Sequence, residues 1–383
     1  MSHIRVSDLT LSYGDTVAVE KLGLEIAEGE ALVLLGQSGC GKTSTMRCIA
    51  GLETPDTGTI TVGDQTLFDS DRGIDRPSHK RNIGMVFQSY AIWPHMTVFE
   101  NVAFSLQMKR TSRSEIKRKV HETLEIVGLE GFADRGASML SGGQMQRVAL
   151  ARSLVMAPSV MLLDEPLSNL DARLRQRLRG DLRELQSRLG LTSIYVTHDQ
   201  EEALALADRI AMMQFGRIVQ IGTPNEIYSR PLSASIADFL GVTNSLPVTA
   251  VDSNTVQLVG SDQRLRVERY EHSGSLRACI RAEDIVIGET AAAATENVLV
   301  GEIVTREFQG ATAAYRVRIE GGAELHILGS KHQLVEREAG SGTPVGIAAG
   351  AIQVLPLDVE GVDTAVAGDF VPESTAALGV SRS

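Results

Sequence analysis

Only three cysteines, Cys40, Cys48 and Cys279, stand in 383 residues, and none has the spacing of a metal-binding pair. That scarcity excludes a disulfide framework and a cysteine-based zinc site, and it predicts a reducing compartment. Positive charge is also in deficit: 37 Lys plus Arg against 48 Asp plus Glu leave a net charge of −11. That sign argues against a dedicated DNA-coating protein, because neutralising a phosphate backbone needs basic surface; a local basic patch stays open, but no nucleic-acid partner is expected. Long apolar runs are missing as well. The most apolar region, Val148 to Leu163, is interrupted by Arg152, Ser153, Pro158 and Ser159, short of the roughly 18 residues that span a bilayer. The opening Met1-Ser-His-Ile-Arg5 has no signal-peptide core. The expectation is a soluble, cytoplasmic chain whose membrane role, if any, runs through a partner.

What is present is an ordinary globular balance, 43% hydrophobic and 22% charged, at a length that predicts two or three domains. From Ile4 to about Leu240, apolar runs alternate with helical patterns. Ala31 to Leu35 and Val160 to Leu163 are unbroken apolar runs, the mark of strands buried on both faces of a parallel sheet. Lys42 to Ala50 reads as a helix stopped by Gly51. Ser114 to Val127 reads as another, with Ile116, Val120, Leu124 and Val127 on one face. A third runs from Asp171, a cap, to Leu189, ended by Gly190, with Leu174, Leu178, Leu182, Leu185 and Leu189 predicted as core contacts. After Gly241 the texture changes to short alternating segments, such as Arg277–Arg281, Ile303–Phe308 and Ala314–Ile319, separated by turns. That pattern predicts a small all-β domain. The sequence contains no internal repeat.

The chemistry is concentrated in three motifs. Gly36-Gln37-Ser38-Gly39-Cys40-Gly41-Lys42-Thr43 matches G-x-x-x-x-G-K-[ST] between a buried strand and a helix. Its backbone N–H groups would cradle phosphates, Lys42 would reach the β/γ-phosphates, and the Thr43 hydroxyl would take a place on Mg²⁺. Val160 to Leu163 then delivers Asp164 and Glu165 to a strand end. There Asp164 would hold the metal and Glu165 would polarise the attacking water. Between the two lies Leu140-Ser141-Gly142-Gly143-Gln144, a second phosphate-binding helix start. One nucleotide does not need two such sites from one chain, so the second is expected to grip the nucleotide of another copy. Cys40, beside Lys42 and a helix N-terminus, has two readings: a reactive thiol with a lowered pKa, or a small residue that fills space behind the loop.

With Leu-Ser-Gly-Gly-Gln in place, the first 240 residues or so resemble the ATP-binding subunit of an ABC transporter. The resemblance implies an α/β P-loop nucleotide-binding domain with a helical subdomain, followed by a small all-β domain of the oligonucleotide-binding-like kind. It implies ATP and Mg²⁺ as ligands. It assigns Tyr13 to stacking on adenine, Gln88 to a loop that contacts Mg²⁺ and the attacking water, and His198 to the γ-phosphate. Asp171, in Ser168-Asn-Leu-Asp171, is assigned to the facing copy. Gln37 and Met145 depart from residues common in relatives, Pro and Gln, but neither supplies a required polar atom.

The segment Ser89 to Val102 resembles the part of importer ATPases that receives the coupling helices of membrane subunits. In the β domain, Arg281-Ala-Glu-Asp284 echoes an Arg-Pro-Glu motif of importer accessory domains, with Ala282 in place of Pro. Phe68 to Lys80 and Trp93 resemble the ferric-iron and polyamine branch more than the sugar branch. The implied partners are a second copy paired head to tail, two integral membrane permease subunits and, indirectly, a substrate-binding protein. The implied place is peripheral, on the cytoplasmic face of the inner membrane. A soluble ABC ATPase of translation or DNA repair and a regulatory protein remain as alternatives. The expected division is an ATP-binding domain over 1–241 with its helical part at about 89–155, a β domain over 246–357 and a disordered tail over 358–383.

Overall fold

The computed structural model describes residues 3–288, 291, 295–330 and 342–359. Of the expected tail, everything from residue 360 lies outside the described residues. The chain divides into two compact units, Met1–Pro231 and Leu232–Ser383.

The first unit is built on two sheets. Strands β1 (Ile4–Tyr13) and β2 (Thr16–Ile26) form a hairpin; β3 (Ala31–Gly36) leads into helix α1 (Lys42–Ala50). Then come β4 (Thr57–Val62), β5 (Gln65–Asp69), β6 (Ile74–Asp75) and β7 (Ile83–Val86). They are succeeded by the helices α2 (Val98–Met108), α3 (Arg113–Ile126) and α4 (Gly142–Leu154), and then by β8 (Val160–Asp164) and α5 (Ala172–Leu189). The unit ends with β9 (Ser193–Thr197), α6 (Gln200–Leu206), β10 (Arg209–Gln214), β11 (Arg217–Gly222) and α7 (Pro224–Ser229). One sheet is antiparallel, in the order β2-β1-β4-β5-β6; the other runs β11-β10-β3-β9-β8-β7. In the second sheet every pairing is parallel except that of β11 with β10.

The unbroken apolar runs are explained by burial on both faces: every residue of β3, β8 and β9 is buried. Met46, Cys48 and Ile49 of α1 join a core shared by both sheets, with Ile4, Ile26 and Ile60 on one side and Leu32, Leu162 and Ile194 on the other. The phosphate-loop helix is thereby fixed in the centre of the unit. Arg81, fully buried, donates to the last carbonyls of that helix, Cys48 O at 2.7 Å and Ile49 O at 3.0 Å, closing the end left open by helix geometry. In α5, Asp171 caps and Gly190 ends the helix in a left-handed conformation, as its sequence predicts. Leu178, Leu182 and Leu185 are buried, but Leu189 in the last turn is 36% exposed; the apolar stripe runs on past the surface it covers.

The second unit opens with α8 (Ala234–Phe239), whose Ala234 and Ala237 are buried with Val242, Cys279 and Leu355. That packing places the division at Pro231/Leu232, ahead of the expected Gly241 to Leu246. The remaining elements are β12 (Asn244–Asp252), β13 (Thr255–Leu258), β14 (Arg264–Arg266), β15 (Leu276–Ile280) and β16 (Ile285–Ile287). They continue with β17 (Asn297–Phe308), β18 (Thr312–Ile319), β19 (Glu324–Ser330), β20 (Thr343–Ile347) and β21 (Ile352–Pro356). They form two five-stranded antiparallel sheets, β14-β13-β12-β15-β21 and β16-β20-β17-β18-β19, around one hydrophobic core. Two buried asparagines tie the sheets together. Asn244 on β12 exchanges hydrogen bonds with the backbone of His326 on β19, and Asn297 on β17 does so with Arg266 on β14. No helix among the described residues is long and apolar enough to cross a membrane.

Candidate nucleotide site

Parallel strands end together, so the residues just beyond their C-terminal ends collect at one edge of the sheet. After β3 comes the loop Gly36–Thr43, after β7 Gln88, after β8 Glu165, and after β9 His198. The loop requires its glycines. A Cβ on Gly36 would lie 2.2 Å from Met213 O; Gly41 has φ +99°, and its Cβ would meet Ala18 O at 2.3 Å. Lys42 is buried and donates from Nζ to the carbonyls of Gly36 at 2.8 Å and Gln37 at 2.7 Å, which holds the ammonium inside the curve of the loop.

Thr43 Oγ1 donates to Asp164 Oδ1 at 3.1 Å. Burial pushes the Asp164 carboxyl above its ordinary range, against the opposing pull of the Thr43 hydrogen bond. Next to it, Glu165 turns out of the sheet at φ +43° while its N–H still bonds Val196 O of β9 at 2.9 Å. A non-glycine residue in that region is uncommon and marks a position held by its surroundings. Its carboxylate is the hub of the site. Gln88 Nε2 donates to Oε2 at 3.1 Å, and His198 Nδ1 lies 3.0 Å from Oε1. Three residues predicted separately from the sequence are joined in one chain of hydrogen bonds.

Two further contacts go beyond the sequence expectations. Asn169 Nδ2 donates to the backbone carbonyl of Gln88 at 2.7 Å, tying the loop after β7 to the one after β8. Asn169 stands inside the Ser168–Asp171 motif, so the signal is present, but its partner lies 81 residues away. Tyr13, half exposed at the end of β1, donates its hydroxyl to the Glu53 carboxylate and lies 3.4 Å from Ser44 Oγ on α1. Partial burial and the Glu53 hydrogen bond raise its pKa. Nothing in the sequence signals Glu53.

Ser141 to Gln144 form a separate cluster. Ser141 caps α4, its Oγ accepting from Gln144 N at 3.4 Å, while Gln144 Oε1 accepts from Ser141 N at 2.9 Å. A Cβ on Gly142 would lie 3.0 Å from Leu170 Cδ2, and one on Gly143 would lie 3.3 Å from Leu178 Cδ1. The start of α4 is thus seated on the Ser168–Asp171 segment, where Asp171 caps α5. Ser141 Oγ and Gln144 Oε1 thus each accept the other's backbone N–H at the start of their own helix.

The structure decides between the two readings of Cys40. Cys40 is 7% exposed, and burial raises its thiol pKa even with Lys42 Nζ at 3.7 Å. Its Sγ fills the space beneath the loop, 2.8 Å from where a Cβ on Gly36 would be. Cys48 is fully buried, with its pKa pushed up to about 12. Desolvation outweighs the cationic neighbour, so Cys40 is a packing residue rather than a reactive thiolate.

The ABC transporter family matches residues 19–168, and the TOBE domain family matches residues 278–355. An Fe(3+) ions import ATP-binding protein, FbpC of Agrobacterium fabrum, is 44% identical over 85% of this chain and 90% of its own length. A spermidine/putrescine import ATP-binding protein, PotA of Rubrobacter xylanophilus, is 42% identical over 89% of each chain. A trehalose/maltose import ATP-binding protein, MalK of Thermococcus litoralis, is 49% identical over 66% of this chain and 67% of its own length. Among solved structures, CbiO1 of Clostridium perfringens, part of the ABC transporter complex CbiONQ, is 30% identical with a TM-score of 0.55, covering 60% of this chain and 92% of that one. A dimeric ATP-binding cassette in a post-hydrolysis state with ADP and Pi is 30% identical with a TM-score of 0.50, over 58% of this chain and 98% of that one.

Proposed function

The chain belongs to the ABC transporter family of ATP-binding proteins, and from that premise we propose that it hydrolyses ATP to power import through partner membrane subunits. The observation that carries this reading is the Glu165 carboxylate, held between Gln88 and His198 and adjoining the Thr43–Asp164 pair. Glu165 accepts the proton of the attacking water, Gln88 orients that carboxylate, and His198 meets the γ-phosphate. Lys42 and the N–H groups of Gly36–Thr43 hold the phosphates, and Tyr13 receives the adenine.

The donor set suits Mg²⁺. Thr43 and Asp164 offer two hard oxygens 3.1 Å apart, Gln88 bonds the carboxylate of the adjacent Glu165, and no cluster of three or more His, Cys, Asp or Glu is found among the described residues. That is the sparse protein contribution expected of a magnesium site completed by phosphates and water. When bound, Mg²⁺ supplies neutralisation of charge on the β- and γ-phosphate oxygens.

Ser141, Gly142, Gly143, Gln144 and Asp171 serve the nucleotide of a second copy, paired head to tail. ATP then bridges the interface and closes the dimer, and loss of the γ-phosphate lets it open. The membrane subunits dock on the Ser89–Val102 segment, a substrate-binding protein delivers cargo to them, and the chain works at the cytoplasmic face of the membrane. Ferric iron or a polyamine is preferred as cargo, because the FbpC and PotA relatives match over 85% and 89% of this chain whereas the MalK match covers 66%. Sugar import is the second reading, favoured by the higher 49% identity of that shorter match.

The test is Glu165→Gln. Glutamine keeps the size and the partners but accepts no proton, so ATP binding should persist while turnover falls by about 10²–10⁴-fold. The variant should accumulate as an ATP-bound dimer on gel filtration. Turnover at the wild-type rate would remove Glu165 from the role.

A further inference from the structure

Little packing holds His198: its side chain is 58% exposed. Its aim therefore depends on how the residues on either side of it are held. Thr197 Oγ1 donates to Glu202 Oε2 at 2.8 Å and accepts from Asp199 N at 3.0 Å. Asp199 caps α6, its Oδ1 accepting from Glu202 N at 3.1 Å. Its other oxygen, Oδ2, accepts from Arg175 Nη1 of α5 at 3.1 Å.

The same guanidinium also reaches back along its own helix. Nη2 donates to Leu170 O at 3.2 Å, and Nε lies 3.8 Å from Glu202 Oε1. Leu170 stands inside the Ser168–Asp171 segment, next to Asn169, whose side chain is bonded to Gln88 O. Arg175 thus does for the loop after β9 what Asn169 does for the loop after β7. Each ties its loop to the one after β8. A planar fork is suited to this, with donors on three nitrogens held at fixed angles. A role in folding alone would set Arg175 to neutralise Glu202, which is 3% exposed. The closer contacts go instead to Asp199 and Leu170.

We propose that Arg175 is a positioning residue for hydrolysis. It sets His198 from α5, through Asp199, and registers it against the segment that carries Asn169 and Asp171. This rests on the proposed function, in which His198 meets the γ-phosphate. Removing Arg175 leaves the Gly36–Thr43 loop with its own contacts, so nucleotide still binds while the γ-phosphate contact is misplaced.

The ATPase of the full chain tests this. Arg175→Ala should lower kcat about tenfold or more, in the range of the about 10²-fold that a misplacement of about 1 Å costs. KM for ATP should stay within about twofold. Asp199→Asn keeps the α6 cap, since Asn caps as well as Asp, but turns an amide nitrogen toward the guanidinium. It should show the same split even where Arg175→Ala fails to fold. The two together should lose little more than the worse of them, because they break one tie. In His198→Ala, read in single turnover, adding Arg175→Ala should slow hydrolysis no further, whereas a role in folding alone would carry its full loss into that background. Without nucleotide, hydrogen exchange in Arg175→Ala should quicken at the Asp199 amide and leave β8 and β9 protected. An unchanged kcat in either single variant, a full further loss in His198→Ala, or exchange that quickens across β8 and β9 alike would overturn the positioning role. A wild-type chain without ATPase, or His198→Ala at the wild-type rate, would overturn the reading on which it rests, and this role with it.

Discussion

Asp208 holds two parts of the first unit through one carboxylate. Its Oδ1 meets Arg183 Nη2 of α5 at 2.5 Å, and its Oδ2 accepts the Ala31 N–H of β3 at 2.9 Å. Burial opposes the charge, but the Arg183 and Ala31 hydrogen bonds win and hold this carboxyl below the usual range. A carboxylate depressed in the folded state adds stability above its unfolded pKa of about 3.9, and that stability is lost as pH falls through the lower folded value. Asp208→Asn should therefore cost about 1 kcal/mol at pH 7, small because the pair is partly exposed and screened. Urea unfolding at pH 7 and at about pH 3.5 should show the deficit shrink in acid; a deficit that grew in acid would refute the assignment. Single residues also mark where sequence alone runs out. The elements carrying Gln88, Glu165 and His198 are legible, since each residue succeeds an apolar strand. Their hydrogen-bonded junction is not, because sequence does not give side-chain distances. Cys40 keeps two readings at the sequence level for the same reason: its charged neighbour is visible in the sequence, but its burial is not.

At the level of elements, local signals are reliable wherever one residue sets a boundary. Asp171 and Gly190 bracket α5, and Gly51 ends α1 in a left-handed turn, whereas α3, read from Ser114, starts one residue earlier behind its cap Ser112. The order of strands is not legible, since β3 lies between β9 and β10 from far along the chain, and the long-range pairing partners of buried apolar runs are interchangeable by pattern alone. The β-rich second unit is recognisable from its alternation, but Asn244 and Asn297 look like ordinary turn-forming polar residues. In the fold, Asn244 is 1% exposed and bonds Ile280 O at 3.2 Å, His326 O at 2.8 Å and His326 N at 2.7 Å. Asn244→Leu would strand those groups in an apolar core, at a cost of about 2–4 kcal/mol. Hydrogen exchange should show the His326 amide losing protection together with β12 and β19, while β8 and β9 in the first unit keep theirs. Unchanged protection at His326 would show that this tie is dispensable.

For the whole molecule, the open question is which copy completes which site. Within one chain, Ser141 is engaged in capping its own helix and Lys42 lies within its own loop. If two copies pair head to tail as proposed, each site is a composite of Lys42 from one copy and Ser141 from the other. Lys42→Ala disables the first half and Ser141→Arg the second, so either variant alone should be inactive. When equal amounts exchange subunits at random, half of the dimers are mixed, and each mixed dimer holds one site with both halves intact. Activity should then return to about one quarter of the wild-type site count. In the complementary mixture, the outcome expected of composite sites does not depend on whether one site fires alone. Wild-type chain mixed with the double variant Lys42→Ala, Ser141→Arg forms mixed dimers with no intact site, because each damaged half spoils a different pocket. Activity should fall to about one quarter, from the wild-type homodimers alone. Sites built within single chains and firing independently would instead leave about half. The first mixture covers the same condition, since independent firing of composite sites restores activity there and self-contained sites restore none. An ATPase titration across the mixing ratio separates the two: the composite arrangement gives a curve quadratic in the wild-type fraction, and a self-contained site gives a straight line.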